Sequence, residues 1–152
     1  ESRGLGDVYK RQEHKRFTAG TERVVVNFRG VRILLEVCYD LRFPVWARNL
    51  GDYDMILYVA SWPTPRVDAW SALLRARAIE NQCYVAGVNR MGVDPACEYS
   101  GGSAIIDPYG KTIAECPWSR ESAVSADIDM EALQAFRKKF PVLDDADPFT
   151  LI

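Results

Sequence analysis

The sequence predicts an α/β layered fold, and two observations carry that prediction. Strand-like and helix-like patterns alternate in the order β-β-α-β-α-β, followed by a hairpin, a further strand and a last helix. The run "DMILYVA" (54–60) is apolar throughout rather than alternating, as expected of a strand covered on both faces. A length of 152 residues suits one domain with a substantial core.

The elements follow in order. "ERVVVNF" (22–28) and "VRILLEVC" (31–38) read as strands joined by "RG", so the two form a hairpin. Pro44 opens a short helix, "PVWARNL", that Gly51 closes. After "DMILYVA" comes the loop "SWPTPR", in which Thr64 caps the next helix with Pro65 at its first position. That helix runs to about Gln82, with Val67, Trp70, Leu74 and Ala78 on one face. "CYVAGVN" (83–89) is another apolar strand, and "RMGVDPACEYSGG" (90–102) is a loop. "SAIID" and "TIAEC" flank the turn "PYGK" as a hairpin, and "AVSADID" (123–129) alternates as a half-buried strand. Asp129 caps the last helix, "MEALQAFRKKF", whose apolar side is Met130, Leu133, Phe136 and Phe140, and Pro141 ends it.

Bulk properties exclude several function classes. A net charge of −2 gives no electrostatic footprint for nucleic acid or for an anionic membrane. No apolar run reaches membrane-spanning length, and no stretch has the layout of a secretory signal. The four cysteines, Cys38, Cys83, Cys97 and Cys116, form no C-x-x-C pair, so a zinc or redox motif is weakly supported. Reduced thiols in a cytoplasmic protein are the expectation.

Cys38 is the candidate for chemistry. It ends an apolar strand and precedes the polar turn "YDLR", and functional residues of layered α/β folds gather beyond the carboxyl ends of strands. Its other reading is a small core hydrophobe. Cys83 is an internal control, because it opens an apolar strand with no polar cluster after it. A nucleophilic thiol needs a group to take its proton. His14 is the single histidine, and Glu36 shares the strand face of Cys38, either as a base or as a carboxylate satisfied by Arg32 or another partner.

Five segments in order, "FTAGTERVVV", "CYDLRFPVWARN", "YVASWPTPR", "LLRARAIENQCYVAGVNR" and "YSGGSAIIDPYG", resemble the C-terminal part of the nitrilase, or carbon–nitrogen hydrolase, superfamily, in its ω-amidase-like branch. The resemblance runs over residues 13–152. It implies an α-β-β-α sandwich and a Glu–Lys–Cys hydrolase. A thiol attacks an amide carbonyl, ammonia leaves, and water cleaves the thioester with a glutamate as general base. No metal or organic cofactor is implied. Cys38 matches the nucleophile, the backbone N–H of Tyr39 an oxyanion donor, and Glu13 the second, structural glutamate near the lysine and cysteine. Arg42 matches a position that binds a substrate carboxylate, with a scaffold ion pair to Asp40 or Asp54 as its other reading; Ser61 and Trp62 match a loop lining the pocket, though Trp62 is equally readable as core.

The general-base glutamate and the lysine motif of the family are not matched. Lys10, in "VYKRQE", sits only three residues before Glu13 and does not receive the lysine role. Residues 1–12 read as a non-native leader and 13–152 as the C-terminal part of the hydrolase domain, with the N-terminal half of the sandwich missing. The expected function is hydrolysis of a small ω-amide of a dicarboxylic acid by a parent that forms a homodimer, this piece alone being inactive, with exposed apolar faces and strand edges. Two alternatives stay open: a non-catalytic α/β scaffold or interaction subunit, and a cysteine hydrolase that uses His14.

Overall fold

The computed structural model describes residues 20–147. The proposed leader, Lys10, Glu13 and His14 lie outside the described residues. Among the described residues, eight strands build a six-stranded sheet of order β1-β2-β3-β4-β7-β8 and a separate pair, β5-β6. Their ranges are β1 Val24–Phe28, β2 Val31–Val37, β3 Met55–Ala60, β4 Tyr84–Asn89, β5 Met91–Val93, β6 Glu98–Ser100, β7 Ala104–Ile106 and β8 Thr112–Glu115. The described residues also hold two α-helices, α1 Val67–Glu80 and α2 Met130–Lys139, with 3-10 turns at Cys38–Arg42 and Thr64–Arg66.

The hairpin of β1 and β2 is antiparallel across Arg29–Gly30, where both residues take positive φ, as the tight turn demands. Strands β2, β3 and β4 are mutually parallel, so their carboxyl ends share one edge of the sheet. Strands β7 and β8 extend the sheet in antiparallel fashion.

Alternation within the strands decides which face is covered. Leu34 and Glu36 of β2 and Ile56 and Tyr58 of β3 point inward, where they meet Trp70, Leu74 and Ala78 of α1 in one core cluster with Val85. Gly87 of β4 makes this contact possible: a Cβ there would sit 2.5 Å from Leu74 and 2.8 Å from Trp70. The opposite face carries Leu35, Val37, Val59 and Val88, all exposed. The expectation that "DMILYVA" is covered on both faces is therefore corrected for the described residues. Only the inward side of β3 is fully sealed, and Val59 is 46% exposed.

Four other readings change. "PVWARNL" forms turns, not a helix, because the Asn49 N–H donates to Asn81 Oδ1 at 2.9 Å and its side chain to the carbonyls of Tyr53 and Asn81, which takes the chain out of helical continuation. Thr64 begins a 3-10 turn with no side-chain capping bond, and Arg66 occupies the cap position of α1, which ends at Glu80. The loop at 90–102 contains the β5–β6 pair, stiffened by the Arg90 guanidinium 4.2 Å over the Tyr99 ring. "AVSADID" pairs with no strand and is largely exposed, so its alternation has no sheet to face. The cap on α2 is as expected, since Asp129 accepts from the Ala132 N–H at 2.8 Å.

Candidate active site

The carboxyl end of β2 breaks directly into the 3-10 turn Cys38–Arg42. Cys38 takes φ +48°, a left-handed conformation in which a side chain with a Cβ is strained. Strain of this kind persists only when the surroundings hold it, and three bonds do so. Asp40 Oδ2 accepts from the Val37 N–H at 3.0 Å, bridging the turn around Cys38. The Phe43 N–H donates to the Asp40 carbonyl at 2.9 Å, and Arg77 Nη2 of α1 donates to the Leu41 carbonyl at 2.6 Å.

The thiol thereby reaches a shallow, open cleft lined by Cys38, Tyr39, Arg42, Trp62, Pro63 and Arg66. The Tyr39 ring meets Phe43 edge-on, with centroids 5.4 Å apart. The Arg42 guanidinium stands 4.9 Å over Trp62 and 5.9 Å from the Tyr39 ring centroid. The scaffold ion pair considered for Arg42 is absent among the described residues: Asp54 binds Arg32 and Arg137 instead. Arg42 thus places a positive charge in the cleft wall beside the thiol. Trp62 is both core and wall. It is buried against Trp70, and its Nε1–H donates to the Arg66 carbonyl at 2.7 Å.

The walls are fixed by Asn89 at the end of β4. Its Oδ1 accepts from the Trp62 N–H at 2.7 Å, while Nδ2 donates to the carbonyls of Trp62 at 3.1 Å and Gly101 at 2.7 Å. Ser61 departs from expectation: it is exposed and does not line the cleft. Arg66 and Pro63 line it without having been anticipated, although both stand in the "SWPTPR" loop, where an arginine beside a strand-end pocket is a readable signal.

Beneath the thiol lies a polar cluster. Glu36 is buried and does not pair with Arg32, which is bound to Asp54 at 2.7 Å. Burial, reinforced by the Asp40 charge, raises the Glu36 pKa to about 8. Glu36 Oε1 and its register neighbour Tyr58 OH are buried without hydrogen-bond partners among the described residues. Cys83 behaves as the control should. It is fully buried, desolvation pushes its thiol well up, and its Sγ lies 3.9 Å from the Arg77 carbonyl.

Fold and site together describe an α/β domain with a strained thiol at a strand end, beside a cationic, aromatic cleft. The comparisons give this class its family. The carbon–nitrogen hydrolase family model matches residues 7–138. The ω-amidase YafV of Escherichia coli is 55% identical over 140 residues, covering 91% of this chain and 55% of that protein. The 2-oxoglutaramate amidase of Bacillus subtilis is 42% identical over 135 residues, covering 88% of this chain and 52% of that protein. A crystal structure of a CN-hydrolase superfamily protein from Xanthomonas campestris, with an arsenic adduct in its active site, superposes with a TM-score of 0.86 at 46% identity, covering 93% of this chain and 57% of that one. The chain belongs to the carbon–nitrogen hydrolase family, in its ω-amidase-like part, and spans about half the length of the curated relatives it matches.

Proposed function

We propose that this chain carries the nucleophile and substrate-binding side of a cysteine-dependent amidase that hydrolyses a small ω-amide of a dicarboxylic acid. The observation that carries the reading is Cys38 itself: a thiol at φ +48° on a strand-to-turn junction, opening on a cleft with Arg42 in its wall. The thiol attacks the amide carbonyl, ammonia departs, and water cleaves the thioester. The Tyr39 N–H, first after the nucleophile, is the oxyanion donor. Arg42 receives the remaining carboxylate of the substrate through a charge-assisted bond, and Trp62 holds that guanidinium in place. An arsenic adduct in the active site of the X. campestris relative supports a reactive thiol, since arsenic is thiophilic. Glu13 is proposed as the structural glutamate beside the thiol; the general base and oxyanion lysine are assigned to no residue of this chain.

The test is ammonia release from a keto-acid ω-amide, with site-resolved labelling of the four cysteines by iodoacetamide. We expect negligible turnover by residues 1–152 alone. Cys38 should be alkylated roughly 10²-fold faster than buried Cys83, which reacts only through opening of the fold. In a complete family member of matching sequence, replacing the residue equivalent to Cys38 by Ala should remove turnover by roughly 10⁴-fold or more. Equal labelling of Cys38 and Cys83 would sink the nucleophile assignment.

A further inference from the structure

The six-stranded sheet has α1 against one face, and its other face is apolar and bare. Val24, Val26 and Phe28 of β1, Leu35 and Val37 of β2, Val59 of β3 and Val88 of β4 are 38–61% exposed there. The register makes these one surface rather than scattered side chains. Val24, Leu35, Leu57, Ala86 and Ile105 stand side by side across five strands, and Val37, Val59 and Val88 form a second row. No residue of β1 to β4 on this face is charged, because Arg32 and Glu36 alternate to the side of α1. Parallel strands such as β2, β3 and β4 occur almost only in sheets covered on both faces.

We infer that this face is where a second copy of the chain docks, sheet against sheet across a two-fold axis. Three observations select that occupant. First, an uncharged face is complementary to its own image, since the pairing brings no like charges together. Two copies also share one twist, and sheets of one twist stack about 10 Å apart at about −30°. Second, the area suffices. The exposed side chains leave about 500 Å² of apolar surface bare, at the upper end of what monomeric proteins tolerate. Two copies then bury about 1,000 Å², enough for a specific interface, before half-buried Ile33, Met55 and Leu57 are counted.

Third, the chain's own residues outside the described range suit the face poorly. Residues 1–19 carry Arg3, Asp7, Lys10, Arg11, Glu13 and Lys15, and the face offers no charge to answer them. Residues 148–152, "PFTLI", are apolar, but five residues reach about 17 Å at full extension. They can cover one strip of a face about 14 Å across its four barest strands.

Sedimentation velocity of the full chain tests this. The wild type should run as a dimer that dissociates to monomer on dilution. Leu35→Lys puts a charge that water solvates in one copy into a dry contact in two, so the dimer Kd should rise roughly 10²-fold or more, with circular dichroism unchanged. Ile79→Lys, on the exposed side of α1, should leave the dimer intact. A wild type that stays monomeric at every concentration overturns the inference. So does a dimer that survives Leu35→Lys but is lost in Ile79→Lys, which would put the pairing on the helical layer. Should Leu35→Lys fail to fold, the wild type still decides. Met55 lies on the proposed face, and Met91 on β5 serves as reference. Peroxide oxidation of Met55 relative to Met91 should slow by about tenfold as concentration rises through the dimer midpoint. A ratio independent of concentration overturns the inference, and a monomer with Met55 protected at every dilution shows instead that the chain's own residues cover the face.

Discussion

The parallel strands β2, β3 and β4 have two ends, and the two are built on opposite principles. At the amino end, Asp54 accepts from Arg32 at 2.7 Å and from Arg137 at 2.8 Å, and Arg137 also donates to the carbonyls of Gln82 and Tyr53. Asn49 and Asn81 tie the neighbouring loop to the end of α1, and the Tyr53 hydroxyl donates to the Ala47 carbonyl. Cys83 is sealed there. At the carboxyl end, by contrast, a cysteine sits at positive φ and, among the described residues, an arginine faces a cleft without an ion pair and buried oxygens of Glu36 and Tyr58 have no hydrogen-bond partner. The amino end is knit by ion pairs, although Gln82 there also takes positive φ and keeps a buried Oε1 without a partner among the described residues; the carboxyl end combines such features with an open cleft. Polar groups left incompletely satisfied and backbone left strained are where a fold departs from maximal stability, and such departures cluster at functional sites.

The contrast can be broken most directly at Asp54. Burial opposes its charge, but hydrogen bonds and charge from Arg32 and then Arg137 outweigh that and hold its pKa below the ordinary 3.8. Asp54→Ala leaves Arg137 without its carboxylate, and we expect a loss of about 3–5 kcal/mol in urea unfolding at neutral pH. Because the folded pKa is depressed, this stabilisation is present above pH 3.8 and disappears as pH falls below it. The variant should therefore lack the wild type's acid limb. If Asp54→Ala unfolded with the wild-type midpoint, the amino end would not be the lock described.

At the carboxyl end, Arg42→Met keeps the contact with Trp62 and removes the charge. The prediction concerns a ratio: Cys38 labelling by anionic iodoacetate against neutral iodoacetamide. It should drop by about tenfold in Arg42→Met with the iodoacetamide rate little changed. An unchanged ratio would show that Arg42 does not select anions. The smallest effect belongs to Asp129→Ala, which removes the cap of α2 near Tyr84, whose hydroxyl lies 3.2 Å from the Asp129 backbone nitrogen. A cost of about 1 kcal/mol in thermal unfolding is expected, with Cys38 labelling unaffected.

Local chemistry explains how much of this was legible from sequence. The Arg29–Gly30 turn, the apolar strands, the Trp70–Leu74–Ala78 face of α1, the Asp129 cap and the position of Cys38 all depend on residues a few places apart. What escaped depends on partners far along the chain. "PVWARNL" has a good helical start, yet Asn49 finds Asn81 thirty-two positions on, and the helix never propagates. Arg137 reaches Asp54 across eighty-three positions, which no periodicity announces. The site was half legible for the same reason. Cys38, Tyr39 and Arg42 are contiguous with their strand, whereas Arg66 enters the cleft, and Ser61 leaves it, according to how Asn89 holds the intervening loop.

Asn89 has a kinetic consequence. One carboxamide binds Trp62 on both sides of its peptide and Gly101 as well, so the loop at 61–66 and the crossing before β7 are riveted to the tip of β4. A wall held that way does not swing, and a ligand meets a groove already cut to shape rather than a jaw that closes on it. Arrival and departure on this side are then governed by diffusion past the arginines. The rivet also dictates what cannot replace it: an aspartate would turn an oxygen toward two carbonyls, so the nearest isostere of Asn89 would be among its poorest substitutes.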